Sequence, residues 1–344
     1  MSFTLLLTCV GGQLSPQVIR LLKASTRHDV KVIGVDAGKN PIGQYFADEF
    51  SVVPKGTDPQ YVDAIGDLVS KYNVDLVLPT SDEEAVALAN QRNLIEEQKC
   101  QLACTSAEVL QIIANKAIAY ERFAELGFSV PIWRRTDTLD EILPAVNEIV
   151  ALTGQAVVKP AGERGGRGVF VIRNDVTGAQ PFDGGREIHM DAETFKSEYL
   201  NTFASYLPAM VMERLKDPVF DVDMLAWKGE AKRVLARRRV DSALPNAGHT
   251  MVDNPELVDL GKKLIKEFEL SWLYDCDVMY DQAGKPGILE INPRPSGSVA
   301  TTICAGMPLL DDMISLAKGE ELPEITSPFG KVVVPWTALE VIDE

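Results

Sequence analysis

Glu290 and Asn292 stand two residues apart in GILEINPRPSGS (287–298), a stretch that opens as an apolar strand and closes in prolines and small residues. Side chains alternate along a strand, so these two share a face, with Cα atoms about 6.5–7 Å apart. The segment DCDVMYD (275–281) is set to pair with GILEIN as a hairpin across residues 282–286, and the pairing can bring Asp277 opposite them. Two carboxylates and one amide oxygen form a hard, all-oxygen donor set. Such a set suits magnesium bridging nucleotide phosphates, an ion that keeps waters and needs few protein ligands. Arg294 follows at once and can hold a transferred phosphoryl group or a substrate carboxylate with its planar fork. Ser296, Gly297 and Ser298 then open a helix, whose amino end favours anions.

A second group is QAVVKPAGERGGRGVFVI (155–172). Its first strand places Lys159 at its end, and GERGGRG is too rich in glycine for helix or regular strand. Gly165, Gly166 and Gly168 let backbone N–H groups wrap phosphate oxygens, while Arg164 and Arg167 add charge. This is not a P-loop, since no GK[ST] precedes a helix; a flexible hairpin with nothing bound is the alternative. In MVMERLKDPVFDVDMLAWKGE (210–230), Met212, Glu213, Arg214 and Leu215 form a strand link. Such a link can offer a peptide N–H and C=O to a purine edge, with Met212 on the ring. Arg237, Arg238 and Arg239 follow on a strand; Arg237 and Arg239 share a face and are expected in the cleft, a solvated charge run being the alternative. His249 is expected in a loop. After TSDEE (80–84), Thr80 or Ser81 caps a helix; Asp82 or Glu83 at a sheet's carboxyl edge would face an amine-bearing substrate.

These groups need rigid elements. Residues 1 to about 110 alternate strand-like and helix-like segments: FTLLLTCV, VKVIGVD, EFSVVP and VDLVLPT with helical stretches between. Buried Val/Leu-rich strands in alternation with helices predict a parallel sheet covered on both faces, with ligands at the strands' carboxyl ends. Gly11 and Gly12 sit at such an end, as a tight turn or a ligand contact; full GxGxxG spacing is absent. Two helical segments, SAEVLQIIAN and KAIAYERFAELG, lead to a mostly antiparallel region from Gln155 onward, and KVVVPWTALEVIDE is expected to return a strand to the body.

The chain has 344 residues, 46% hydrophobic and 24% charged, which predicts a globular protein of two or three domains. Its formal charge of −16 should repel nucleic acid and anionic membranes, so an anionic ligand requires local positive charge. The start lacks a basic flank and reads as a first strand rather than a signal peptide, and nothing approaches the roughly 20 apolar residues of a membrane span. Five scattered cysteines, with no CxxC pair, read as reduced thiols of a cytoplasmic protein. Cys100 and Cys104 are either packing residues or two metal ligands lacking nearby partners.

The order of motifs resembles the ATP-grasp superfamily and, within it, the carbamoyl-phosphate-synthase-like amide ligases, over nearly the whole chain. NKAIAYERFAELGFSVP resembles the segment whose lysine, here Lys116, contacts nucleotide phosphate. VVKPAGERGGRGV resembles the second lysine strand and its glycine loop, VMERL the adenine hinge and LEINPR the metal strand. The resemblance implies a parallel α/β pre-ATP-grasp domain (1–110) that shapes the acceptor site. A two-lobed ATP-grasp fold follows, with a small lobe (111–215, core hairpin 155–173) and a large lobe (216–344).

It further implies ATP and Mg²⁺, usually two ions, with Mn²⁺ an alternative, and small-molecule carboxylate and amine substrates joined through an acyl phosphate. Arg294, Arg237 and Arg239 would meet that intermediate, and Glu83, His249, Ser296 and Ser298 would lie near the substrates. A homodimer is compatible with it. The other activities it admits are a carboxylase-type or carbamate-phosphorylating enzyme and a silent nucleotide-binding protein. In one place the chain departs from the pattern. Where relatives carry a ribose-binding glutamate, six residues after the hinge glutamate, it has Val219; Asp221 or Asp223 is the expected substitute.

Overall fold

The apolar run at the start of the chain forms β1 (Phe3–Leu7), the central strand of a parallel sheet with β2 (Val30–Asp36), β3 (Glu49–Val52), β4 (Leu76–Leu78) and β5 (Gln101–Leu102). The structure, a computed structural model, describes residues 2–162, 168–181 and 187–341. The strand order is β3-β2-β1-β4-β5, and every pairing is parallel. Leu5, Leu6 and Leu7 are at most 2% exposed, as strands covered by helices on both faces require. The order reverses between β1 and β4, and the crevice at their carboxyl ends is where such sheets take ligands. Gly11 resolves there as a turn, its N–H donating to Asp36 Oδ2 at 2.8 Å. The helix Asp82–Asn90 starts at the end of β4, capped by Ser81, whose hydroxyl accepts from the Glu84 N–H.

The helix Lys116–Glu125 is capped by the Asn115 side chain, which accepts from the N–H groups of Ala117 and Ile118. A second sheet follows from β6 (Trp133–Thr136), β7 (Gln155–Pro160), β8 (Val169–Arg173), β9 (Gln180–Pro181), β10 (Glu187–Met190) and β11 (Ala209–Glu213), in the order β6-β11-β7-β8-β10-β9. It has its own core, in which Ile142, Val146 and Ile149 of the helix Leu139–Thr153 meet Phe170, Phe195 and Phe203. β7 and β8 form the predicted antiparallel hairpin. Its tip, with Arg164, Gly165, Gly166 and Arg167, lies outside the described residues.

The third sheet is antiparallel throughout: β12 (Lys216–Trp227), β13 (Glu230–Arg239), β14 (His249–Val252), β15 (Trp272–Tyr280), β16 (Pro286–Asn292) and β17 (Val332–Val333), ordered β16-β15-β12-β13-β14-β17. The tail strand returns to the body as expected, through β17 on β14. Helix Pro255–Glu267 lies against β12 and β13, and Gly261 permits the approach: a Cβ there would stand 2.8 Å from Val234 Cγ1. No single helix among the described residues is long and apolar enough to cross a membrane. Val299–Ala305 and Leu309–Ala317, which together have the length and composition, are bent by 97° and largely buried.

Candidate active site

A cleft of about 430 Å³ opens between the second and third sheets, within the ordinary range of ligand pockets. Its floor is the β15–β16 hairpin. The register sets Asp277 opposite Glu290 and Asp275 opposite Asn292, with a bulge after Asp277. Asp277, Glu290 and Asn292 therefore converge, as the spacing suggested. Asn292 Nδ2 donates to Asp275 Oδ2 at 3.0 Å and to Asp277 Oδ1 at 3.3 Å. On the neighbouring strand Asp221 joins them: oxygens of Asp221, Asp275 and Asp277 all lie within 4.8 Å of one another. So dense a set of little-exposed carboxylate oxygens fits a hard divalent cation. Its repulsion shows in the acids themselves. Burial pushes Asp277 above the usual carboxylate range, with Asp221 and Glu290 adding to it against Arg239.

Two lysines face this floor. Lys116, first residue of its helix, places Nζ 2.7 Å from Glu290 Oε2. Burial alone would raise Glu290, but Lys116, then Lys159 and Arg294, hold its carboxyl below the usual range. Lys159 ends β7 and is only 8% exposed. Burial, and then the charge of Lys116, push it down to about 8. Two cations brought to one cleft have the charge that phosphate oxygens require. Gly168 at the base of the loop has φ +68°, and a Cβ there would stand 3.2 Å from Pro160 Cγ, so the turn demands glycine.

Met212, Glu213, Arg214 and Leu215 all border the cleft. The Glu213 side chain is engaged elsewhere. Its Oε1 accepts from the Ile132 N–H at 2.8 Å, while its own N–H donates to Ile132 O at 2.9 Å. It staples the two chain crossings into the second sheet, and only the link's backbone and Met212 are left for a ring. Arg214 lies 3.2 Å from both Glu187 and Asp217.

Several expectations need correction. Asp221 is not free to replace the ribose-binding glutamate: its carboxylate lies 2.6 Å from Arg239 Nη2 and 3.0 Å from His249 Nε2, among the floor acids. Asp223 is equally removed, fully buried on Arg237. Val219 does border the cleft, its N–H donating to Ser242 Oγ at 3.1 Å. Arg237 and Arg239 share a face, with Arg238 exposed on the other, yet only Arg239 reaches the cleft. It does so 2.6 Å from Asp277 Oδ2. Arg237 is fully buried beneath, on Asp223, Asp275, Ser298 and Thr301. His249 begins strand β14 instead of lying in a loop. It is fully buried between Asp221 and Thr301, and burial followed by Arg237 lowers its basicity.

Ser296 and Ser298 do line the cleft, their hydroxyls 3.0 Å apart, and Ser298 also receives Arg237 at 2.9 Å. Arg294 lines it too, its Nε 2.8 Å from Asp82 Oδ1 at the end of β4. Of the two acids considered there, Asp82 faces the site from the first sheet, while Glu83 is exposed. Sequence reasoning missed Asp275, although it shares a strand face with Asp277 at i and i+2. It also missed Glu187 and Ser242, for which the sequence carries no signal.

The family model described as "ATP-grasp in the biosynthetic pathway with Ter operon" matches residues 205–338, and the one described as "PylC-like, N-terminal domain" matches residues 5–103. The carbamoyl phosphate synthase large chain of Gemmatimonas aurantiaca is 24% identical over 297 residues, covering 83% of this chain and 26% of that protein. The chain thus spans about a quarter of the length of the curated relative it matches.

Among solved structures, the biotin carboxylase domain dimer of Hydrogenobacter thermophilus 2-oxoglutarate carboxylase, in complex with MgADP, ADP and bicarbonate, superposes with a TM-score of 0.67 at 18% identity. The match covers 96% of this chain and 73% of that one. The L-amino acid ligase from Bacillus licheniformis gives 0.65 at 13% identity, covering 92% and 74%. At such identities the likeness speaks for a shared fold.

Proposed function

We propose, starting from the fact that this chain is an ATP-grasp protein, that it joins a carboxylate to an amine with cleavage of ATP to ADP and phosphate. The observation that carries the reading is the convergence on one cleft of Lys116 and Lys159 with the oxygen donors Asp277, Glu290 and Asn292. ATP would lie between the second and third sheets, adenine against Met212 and the backbone of residues 213–215, phosphates toward the two lysines. Asp277, Glu290 and Asn292 would hold Mg²⁺, which supplies charge neutralisation to phosphate oxygens when bound.

The substrate carboxylate, already ionised at neutral pH, attacks the γ-phosphorus; the bond to the ADP oxygen breaks and an acyl phosphate forms. Positioning and charge neutralisation dominate such a step, and Arg294 and Arg239 are the cleft arginines that supply them. A neutral amine then attacks the acyl carbon, phosphate leaves, and the amine gives up a proton as the amide forms. The first sheet's domain (1–110) shapes the acceptor end through Asp82. The small lobe (111–215) covers the nucleotide, and the large lobe (216–344) carries the floor.

The direct test is a phosphate-release screen of carboxylate and amine pairs, with mass spectrometry of the products. An amide formed in step with ADP supports the reading. ADP release that depends on bicarbonate selects instead a carboxylase-type or carbamate-phosphorylating activity. Tight ATP binding with no phosphate release under any pair removes catalysis altogether.

A further inference from the structure

We propose that Asp275 is a positioning residue that holds the NH₂ of Asn292 against the acids of β15 and so keeps the amide oxygen available as a metal donor. The inference rests on the reading of Asn292 as a magnesium donor. A side-chain amide has one accepting oxygen and an NH₂ with two donors, and reversing it exchanges the two. Only the oxygen can ligate a hard cation, so an asparagine in such a site needs something to choose its orientation. Here the register does so: Asp275 stands opposite Asn292 across the hairpin, and its Oδ2 takes an Nδ2 proton at 3.0 Å. Asp277 Oδ1 takes the second at 3.3 Å. Both acceptors are carboxylate oxygens, and the Arg237 guanidinium, with Nη2 3.4 Å from Asp275 Oδ1, is the cation beside Asp275 that favours its role as an acceptor. A reversed amide would set its oxygen against these two carboxylate oxygens and offer only N–H groups on its other side.

Asp275 needs an anchor to do this, because Asp221, Asp223 and Asp277 surround it. Arg237 is that anchor. It is fully buried, with Nη2 3.4 Å from Asp275 Oδ1 and Nε 2.8 Å from Asp223 Oδ2. Partners behind a ligand, when removed, typically cost 10–100-fold in metal affinity. The run of residues Asp223, Arg237, Asp275 and Asn292 is such a support, and it explains why an arginine on the cleft strand lies buried instead of meeting substrate.

The test is a double-mutant cycle read by Mn²⁺ binding to the full chain in the presence of ADP, followed by electron paramagnetic resonance, with thermal melts for folding. Asp275→Ala should weaken Mn²⁺ binding about 10–100-fold. Asn292→Asp presents an oxygen in either orientation, so D275A/N292D should recover binding to within a few-fold of wild type. Should Asp275→Ala fail to fold, Asp275→Leu, which fills the space and offers no acceptor, takes its place with the same expectation.

Unchanged binding in the single variant overturns the inference. So does a double variant as weak as the single one, which would make Asp275 itself a ligand. Glu290→Ala separates the two readings. If it leaves Mn²⁺ binding intact, the metal site is elsewhere. If it abolishes binding while Asp275→Ala does not change it, only the positioning role falls.

Discussion

Replacing Lys159 with methionine should make the protein more stable and worse at binding nucleotide. Lys159 is 8% exposed, and burial with the nearby charge of Lys116 pushes its pKa from the ordinary 10.5 down to about 8. A displacement of that size corresponds to roughly 3 kcal/mol of unfavourable interaction with the charged form. The sign follows from linkage. The folded pKa lies below the unfolded one, so the penalty is complete below about pH 8 and fades as pH rises toward 10.5. The methionine variant carries no such charge, and its shape suits the slot beside Tyr120, whose ring centre is 5.9 Å from Nζ. At pH 7 its apparent Tm should rise by several degrees, at about 2–4 °C per kcal/mol, and the gap should close between pH 8 and 10.5.

Binding should move the other way. A hydrogen bond to a charged group contributes about 1.5–3 kcal/mol, so ADP affinity should fall by roughly 10- to 100-fold, while adenosine, which has no phosphate, binds unchanged. Calorimetry of both ligands and melts across pH measure all of this. A variant that binds ADP normally, or that melts lower than wild type at pH 7, refutes the picture of a strained lysine held for phosphate.

Glu290→Gln should abolish ADP formation while keeping a cooperative melt, because the amide still accepts from Lys116 but brings no negative charge to the cation; normal turnover would remove Glu290 from the metal site. Asp82→Ala should lower kcat about 100-fold, since a misplacement near 1 Å can cost that much, by releasing Arg294 from its 2.8 Å contact. The exposed Glu83→Gln is the matched control and should be silent. Arg237→Ala should destabilise the fold by about 3–5 kcal/mol, because it strands the buried charges of Asp223 and Asp275. Arg238→Ala, one residue on and exposed, should stay within about 0.5 kcal/mol in the same urea titration.

Local physics made most of the framework legible. The strands of the first sheet are largely buried, so β1, β2 and β4 appear as mostly apolar runs, interrupted at Thr4 and Lys31. β5 is two residues long and escaped notice, because a pairing that short leaves no periodic signal. The helix at Lys116 was readable from its apolar spacing and its closing Gly127. β9 is a two-residue edge that exists only because β10 offers it hydrogen-bonding groups.

The site was legible where one hairpin fixes it and obscure where distant segments meet. Glu290, Asn292 and Asp277 obey strand alternation, which the register preserves. The same rule placed Arg237 beside Arg239 but could not say how deep each would lie. Depth is decided by β12 and by the helix after Ser298, which close over Arg237 and leave Arg239 at the rim. Asp221 illustrates the cost of working from one strand at a time. It alternates correctly for the cleft, yet Arg239 and His249, which come from β13 and β14, claim both its oxygens.

Asp82 has the opposite lesson. On its own helix it is one acid among three in a first turn, indistinguishable from Glu83 and Glu84. Only the docking of the third sheet against the first, which brings Arg294 to it, sets it apart. If that contact matters for catalysis, the first domain is part of the machinery and not a neighbour of it. The Asp82→Ala and Glu83→Gln pair reads that difference directly.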